Sequence, residues 1–215
     1  YFFMSISESN GGRLSRYPLG SLRELSSITF PLMVSLISVS LMQFCDRLFL
    51  ARYSLDALNS AMNGWMHAIL FLLGGIAVAA ISEVFVGQYN GAKEYKKIGA
   101  PVWQMIYFSI LLSVVFVPLG IWGADLMLQD VDFEGAGIGY FRHIMFFGSF
   151  FPLASALSGF FVGRGHVKLV AFVSIGANLV NVVLDPILIF GYGVFAFCDG
   201  VFWALGVRSA MAAMG

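Results

Sequence analysis

Five long apolar stretches constrain the fold of this chain more than any other feature of its sequence. A helix needs about 20 apolar residues to cross a lipid bilayer, and each stretch is at least that long. They run from Ile28 to Tyr53, Leu58 to Gly87, Pro101 to Trp122, Gly137 to Gly163 and Val167 to Phe190. A sixth stretch begins near Val201 and stops at Gly215, so at about 15 residues it is short for a span. The pattern predicts an all-α, polytopic membrane bundle with five full spans and a truncated sixth.

The charge content excludes several classes of soluble protein. Asp, Glu, Lys and Arg make up 11% of the 215 residues, against about 25% in a typical soluble domain. This leaves too little polar surface to cover a water-soluble enzyme. The 12 basic and 12 acidic residues balance, so we expect no nucleic-acid partner. The sequence shows no zinc-ligand spacing, phosphate-binding glycine loop or paired nucleophile and base. We therefore expect neither an enzyme nor a bound cofactor.

The basic residues predict the orientation of the bundle, because cytoplasmic loops are enriched in Lys and Arg. Four of the twelve, Arg47, Arg52, Arg142 and Arg208, fall on one side, and the other eight fall on the side of the N-terminus. We expect residues 1–24 to be a cytoplasmic segment and residues 25–215 to form the transmembrane part, in the inner membrane. The four tryptophans, Trp65 among them, fall near predicted span ends, where interfacial anchors are common.

Two aspartates lie inside the apolar spans, where an ionisable group is a functional candidate because its burial in lipid is costly. Asp46 lies late in the first span, and Gln43 shares its helix face. Asp185 lies late in the fifth span and ends a polar stripe on one helix face, formed with Ser174, Asn178 and Asn181. At about 1.5 Å per residue, both carboxylates lie roughly 10 Å inside the outer span ends, so they can share a level.

Further polar residues complete the list of candidates. Pro186 follows Asp185 and frees a backbone carbonyl, so we expect a helix kink there. Asn63 and His67 lie on one face of the second span, although packing or an interfacial position explains His67 better than a function does. The predicted cavity-lining residues are therefore Gln43, Asn63, His67, Ser174 and Asn178.

The pair of carboxylates suggests a mechanism. A single buried aspartate is often only a helix-packing partner, but two at one depth beside a row of amides favour a function. Such a pair can hold a proton, a sodium ion or an organic cation, but not all at once. Competition for one charged site is the physical basis of antiport.

Two motifs of the sequence resemble the multidrug and toxic compound extrusion (MATE) transporters. One runs from Phe30 and Pro31 to Asp46, and the other, N-x-x-L-D-P-x-L-I-x-G, runs from Asn181 to Gly191. The loops GQYNGAKEYKK and GRGHVK are also similar to the family, and the resemblance covers nearly the whole chain from Leu25.

The resemblance implies a twelve-helix fold of two lobes, with this chain as the N-terminal six-helix lobe and the C-terminal lobe in the same longer chain. It implies that organic cations, drugs or metabolites are exported in exchange for H⁺ or Na⁺ as the lobes rock against each other. The coupling cation would be held by Asp46, Asn181 and Asp185. Some members add a span-six threonine to the site, and Met214 in its place weakens the case for Na⁺.

Other interpretations remain open at the level of the sequence. A lipid-linked sugar flippase of the same superfamily needs a strongly basic cavity, whereas the charges inside these spans are mainly acidic. In a non-transporting membrane subunit, neutralising Asp46 and Asp185 would change only assembly or stability. The length and the incomplete sixth span are expected of a fragment of a longer protein, of the product of a disrupted reading frame or of a half-transporter that dimerises.

Overall fold

A computed structural model describes residues 21–124, 126 and 136–190 of the chain. All regular secondary structure in these residues is helical, which confirms the predicted all-α membrane bundle. The helices are α1 (Leu22–Tyr53), α2 (Leu55–Gly91), α3 (Gly99–Pro118), α4 (Ala136–Phe147), α5 (Phe150–Gly163) and α6 (Val167–Phe190). A 3₁₀ turn (Tyr95–Lys97) precedes α3, and a π-helical segment (Leu119–Gly123) extends it. The predicted sixth span lies outside the described residues.

The first two helices begin earlier than the apolar pattern predicts, because a serine caps the N-terminus of each. The first helix begins at Leu22 rather than Ile28 because the Ser21 hydroxyl accepts a hydrogen bond from the Glu24 amide at 3.2 Å. Only Ser54 separates α1 from α2, and its hydroxyl accepts from the amide of Asp56 at 3.2 Å. Helical structure therefore extends beyond the apolar stretches, whereas α6 spans the predicted residues from Val167 to Phe190.

The fourth predicted span consists of two helices, which is a correction to the expected single helix. Helices α4 and α5 meet at a bend of 43° around Gly148 and Ser149. Pro152, in the first turn of α5, has no amide hydrogen to donate to the Gly148 carbonyl, so the helical hydrogen bonding is interrupted there. Four described helices are long and apolar enough to cross a membrane, and the bent pair makes a fifth.

Close contacts at small residues hold the centre of the bundle. Helix α2 makes its most extensive contacts with α5 and also packs on α3 and α4. A Cβ atom on Gly159 would lie 2.7 Å from the Ser82 hydroxyl, and one on Gly163 would lie 2.8 Å from the Glu83 carbonyl oxygen. The Ser82 hydroxyl donates to the Ala156 carbonyl at 3.3 Å. This close approach is typical of helix interfaces in membranes, where small residues bring backbones together.

Helix α1 forms its most extensive contacts with α6, and this pair positions the two aspartates. The Asn178 amide donates to the Ser38 hydroxyl at 3.0 Å. Asp46 and Asp185 meet about two turns further along both helices, so α1 and α6 run parallel. Contacts of α1 with α2 and of α5 with α6 join this pair to the other helices.

Candidate cation site and adjoining cavity

The packing of α1 on α6 brings the two predicted carboxylates together. Asp46 is 6% exposed and Asp185 is fully buried. Their carboxyl groups lie within hydrogen-bonding reach of each other. The two aspartates therefore lie at the same depth along the helix pair, as the sequence predicts, and their side chains form a single cluster.

Three buried oxygen atoms of this cluster have no hydrogen-bond donor in the described part of the chain. They are Oδ1 of Asp46, Oδ2 of Asp185 and Oδ1 of Asn181. The Asn181 amide nitrogen donates to Oδ1 of Asp185 at 3.4 Å, which orients the asparagine beside the carboxylate. A buried acceptor without a donor is unfavourable, and two neighbouring carboxylates repel each other when both are charged. The cluster is therefore suited to bind a proton or a small cation.

An apolar cluster lies one helical turn beyond the aspartates. Leu50 follows Asp46 on α1, Ile189 follows Asp185 on α6, and both pack with Ala61 of α2. All three side chains are at least nine-tenths buried. The cluster limits access of water to the carboxylates from this end of the helix pair.

A cavity of about 440 Å³ adjoins the carboxylate pair on the side of α2. Small-molecule sites in proteins typically occupy about 300–1,000 Å³. Asp46 belongs both to the carboxylate pair and to the cavity wall. The other lining residues come from α1, α2, α4 and α5 and are Val39, Met42, Gln43, Arg47, Leu50, Leu58, Ala61, Met62, Trp65, Met66, Tyr140 and Phe151.

The predicted cavity-lining residues divide between this cavity and the helix interface. Gln43 lines the cavity. Ser174 and Asn178 are not part of its wall, since the stripe on α6 faces α1 and the Asn178 amide bonds to Ser38. Pro186 lies inside α6, which continues to Phe190, and the kink expected there stays a prediction.

Asn63 and His67 also lie outside the wall of this cavity, and their role in lining a cavity stays a prediction. The side of α2 that faces the cavity carries Met62 and Met66. Because successive residues are rotated by about 100° around a helix, Asn63 and His67 lie on the adjacent face. Nδ1 of His67 is 2.8 Å from the Asn63 carbonyl oxygen, a contact within its own helix.

Sequence reasoning missed four polar or aromatic residues of the cavity, Arg47, Trp65, Tyr140 and Phe151. Trp65, expected as an interfacial anchor, packs against Phe151 with ring centroids 6.3 Å apart and lines the cavity. The helical spacing of Trp65 with its cavity-lining neighbours on α2 is a signal that identifies this face. Arg47 and Tyr140 also line the cavity. No local pattern predicts Tyr140, because α4 comes beside α1 and α2 only through tertiary packing.

Comparison with known proteins gives consistent matches. The MatE family model matches residues 31–187 of the chain. The "Probable multidrug resistance protein NorM" of Oceanobacillus iheyensis is 26% identical over 175 residues, which is 79% of this chain and 39% of that protein. The "Probable multidrug resistance protein YoeA" of Bacillus subtilis is also 26% identical, over 79% of this chain and 38% of its own length.

A third relative extends the comparison to another genus. The "Multidrug resistance protein NorM" of Vibrio cholerae is 24% identical over 78% of this chain and 37% of its own length. The chain thus spans about two-fifths of the length of these curated relatives. No solved structure matches the chain significantly.

Proposed function

The chain belongs to the MatE family of multi-pass membrane proteins, and we propose that it forms the cation-binding lobe of a secondary active antiporter. The antiporter exports organic cations, drugs or metabolites in exchange for H⁺ or Na⁺. The names of the curated relatives support drugs as a substrate class. The proposal places the protein in the inner membrane with a cytoplasmic N-terminus, and it assigns the remaining lobe to the same longer chain.

The contact between Asp46 and Asp185 is the observation that supports this proposal most strongly. Two carboxylates that are both buried and adjacent, each with one oxygen atom lacking a donor, need positive charge to offset their desolvation and repulsion. A proton bound between the carboxyl groups, or a sodium ion held by the three oxygens, supplies that charge. Asn181 orients the group by donating to Asp185.

The position of Asp46 explains how the ion and the substrate compete. Its carboxylate is shared between the ion site and the cavity wall. A cationic substrate in the cavity interacts with Asp46 and weakens the hold of the pair on H⁺ or Na⁺. The coupling ion in turn neutralises Asp46 and weakens substrate binding, because linkage between two ligands is reciprocal.

Replacement of Asp185 tests the proposal. In cells that express the intact protein, we expect Asp185→Asn to reduce ethidium efflux to the level of cells without the protein. The amide keeps the size of the side chain and removes its charge, so the amount of protein in the membrane fraction should not change. Asp56→Asn is the matched control, because Asp56 is exposed at the start of α2, away from the pair.

The alternatives give different results in the same assay. Ethidium efflux at the wild-type level in Asp185→Asn contradicts the proposal. If the double variant Asp46→Asn with Asp185→Asn loses only assembly or thermal stability, the chain is a structural membrane subunit instead. Ethidium fluorescence measures efflux, and the amount of protein in the membrane fraction measures assembly, so the two readings distinguish these outcomes.

A further inference from the structure

The turn that joins α5 to α6 holds an arginine that forms no ion pair with the described residues. The guanidinium carbon of Arg164 lies 5.3 Å from the centroid of the Phe160 ring, a cation–π contact that holds the side chain against the end of α5. Nε of Arg164 is buried and has no hydrogen-bond acceptor in the described part of the chain. Because an arginine stays charged at any physiological pH, this position favours an anionic acceptor.

The turn that joins α2 to α3 lies beside Arg164. Phe160 of α5 and Tyr95 of the α2–α3 turn pack on the same buried cluster, whose members are Val86, Ile98 and Val102. A Cβ atom on Gly163 would lie 2.7 Å from the Val86 side chain, so the ends of α2 and α5 are in contact. The two turns therefore form one surface, at the end of the bundle where α1 begins.

This surface carries an excess of positive charge. The two turns and the first residues of α6 contain five basic residues and one carboxylate, which are Lys93, Lys96, Lys97, Arg164, Lys168 and Glu94. The carboxylate is already paired, since Glu94 lies 2.8 Å from Nζ of Lys97. Burial and the nearby charge of Arg164 lower the pKa of His166, so this histidine is neutral at pH 7. The remaining basic groups attract anions to the surface.

One of the lysines has a strained backbone conformation. Lys93 is exposed and has a φ angle of 62°, in the left-handed region that glycine adopts without strain. Backbone strain of this kind is concentrated at functional sites. Lysine at this position gives the surface a charge that the less strained glycine does not provide.

Exposed apolar side chains continue from this surface along α3 and α6. Phe172 lies one turn after Lys168 on α6 and is 78% exposed. On α3, Trp103 and Tyr107 are both exposed, and their ring centroids are 5.9 Å apart. Tryptophan and tyrosine near span ends are typical of the headgroup level of a membrane. A ligand with a charged head and acyl chains therefore fits this end of the bundle better than a small soluble anion does.

We propose that the two turns bind the phosphate of an anionic phospholipid, with Arg164 as its main donor and Lys93 and Lys168 as supporting charges. A guanidinium binds phosphate in a bidentate manner, and basic residues at the membrane surface attract anionic lipids. The acyl chains lie against the exposed side chains of α3 and α6. The site is near the N-terminal ends of α1 and α6, whereas Asp46 and Asp185 are near their C-terminal ends, so it is distinct from the ion site.

Binding of two lipids to the purified intact protein in detergent, measured by native mass spectrometry, tests this site. Dioleoylphosphatidylglycerol is anionic, and dioleoylphosphatidylcholine has the same chains and a phosphate but no net charge. We expect the first molecule of phosphatidylglycerol to bind about tenfold more tightly, because several basic residues act on it together. Millimolar inorganic phosphate should not displace it, since phosphate lacks the contacts of the acyl chains.

The variant Arg164→Gln should weaken binding of phosphatidylglycerol about tenfold, through loss of a charge-assisted hydrogen bond. It should weaken phosphatidylcholine less, because the choline group already offsets the charge that the guanidinium recognises. Arg52→Gln is the control, because Arg52 is an exposed arginine near the opposite end of α1. It should change neither affinity.

Lys93→Gly separates lipid binding from protein stability. The variant removes a charge and relieves the backbone strain, so its Tm should be unchanged or higher while its affinity for phosphatidylglycerol falls about fivefold. If the affinity does not fall, the α2–α3 turn is not part of the site and the inference fails.

Three other outcomes would also overturn the inference. Equal affinity of the wild type for the two lipids would show that no anionic headgroup is selected. Displacement of phosphatidylglycerol by inorganic phosphate would indicate a site for a soluble anion instead. Equal weakening in Arg164→Gln and Arg52→Gln would mean that the lipid responds only to the overall charge. None of these measurements depends on efflux, so they leave the proposed transport function to its own test.

Discussion

At the residue scale, the sequence identifies the two aspartates of the ion site but not the arginine in the wall of the adjoining cavity. Asp46 and Asp185 stand out because ionisable residues inside apolar spans are rare and costly. Arg47 is equally charged and follows Asp46 in the same predicted span, but as a basic residue on the outer side it indicates only the orientation of the bundle. Only the structure shows that its side chain lines the same cavity as Asp46.

The two asparagines on α6 provide a test of roles at this scale. Asn181 contacts Asp185 and has a buried oxygen without a donor, whereas the Asn178 amide bonds to Ser38. We expect Asn181→Ala to raise the concentration of coupling ion needed for half-maximal ethidium efflux about tenfold, through loss of one oxygen ligand and one orienting bond. Efflux measured over a series of H⁺ and Na⁺ concentrations checks this.

Asn178→Ala is the comparison for that experiment. It removes a hydrogen bond between α1 and α6, so it should lower thermal stability by about 1 kcal/mol and leave the ion dependence unchanged. Equal shifts of the ion dependence in both variants would show that the asparagines act through helix packing alone.

At the element scale, the extent of the apolar stretches predicts the membrane spans well, and local chemistry explains the differences. The stretch length decides which segments cross a bilayer, so α6 covers the predicted residues. The serine caps Ser21 and Ser54 begin helices outside the apolar stretches. The bend between α4 and α5 lies next to Pro152, and a proline inside an apolar run is a signal that the sequence itself carries, as at Pro186.

Glycine positions test the packing of α2 on α5. A methyl group on Gly159 would lie 2.7 Å from the Ser82 hydroxyl and 3.0 Å from the Glu83 amide nitrogen, whereas one on Gly74 meets no described atom within 4 Å. We expect Gly159→Ala to destabilise the intact protein by about 1–3 kcal/mol, because the helices must move apart. Thermal unfolding in detergent should show a lower Tm.

Gly74→Ala is the control for backbone effects. Alanine favours a helix by about 1 kcal/mol over glycine, so this variant should have an unchanged or higher Tm. A Tm of Gly159→Ala equal to that of Gly74→Ala would mean that α2 and α5 do not pack as closely as described.

At the scale of the whole molecule, the packing of helices that are distant in the sequence forms both the ion site and the cavity. The sequence predicts that Asp46 and Asp185 share a depth, because three spans lie between their helices and the two helices therefore run in the same direction. Residue patterns alone do not predict that α1 and α6 are adjacent, which only the family resemblance implies, or that Tyr140 of α4 lines the cavity. These contacts depend on the fit of side chains between distant helices, which local patterns do not contain.

The central claim is that one carboxylate pair is shared by the coupling ion and the substrate, and ethidium binding tests it most directly. The probe has a permanent positive charge, so its affinity for the purified intact protein reports only changes in the protein. Fluorescence anisotropy would be measured over a series of H⁺ and Na⁺ concentrations, in the wild type and in Asp185→Asn. We predict that a tenfold increase in a saturating coupling ion weakens ethidium binding about tenfold in the wild type, and that this dependence is lost in the variant. An ethidium affinity that does not change with either ion in the wild type would contradict this claim. So would an unchanged ion dependence of that affinity in Asp185→Asn.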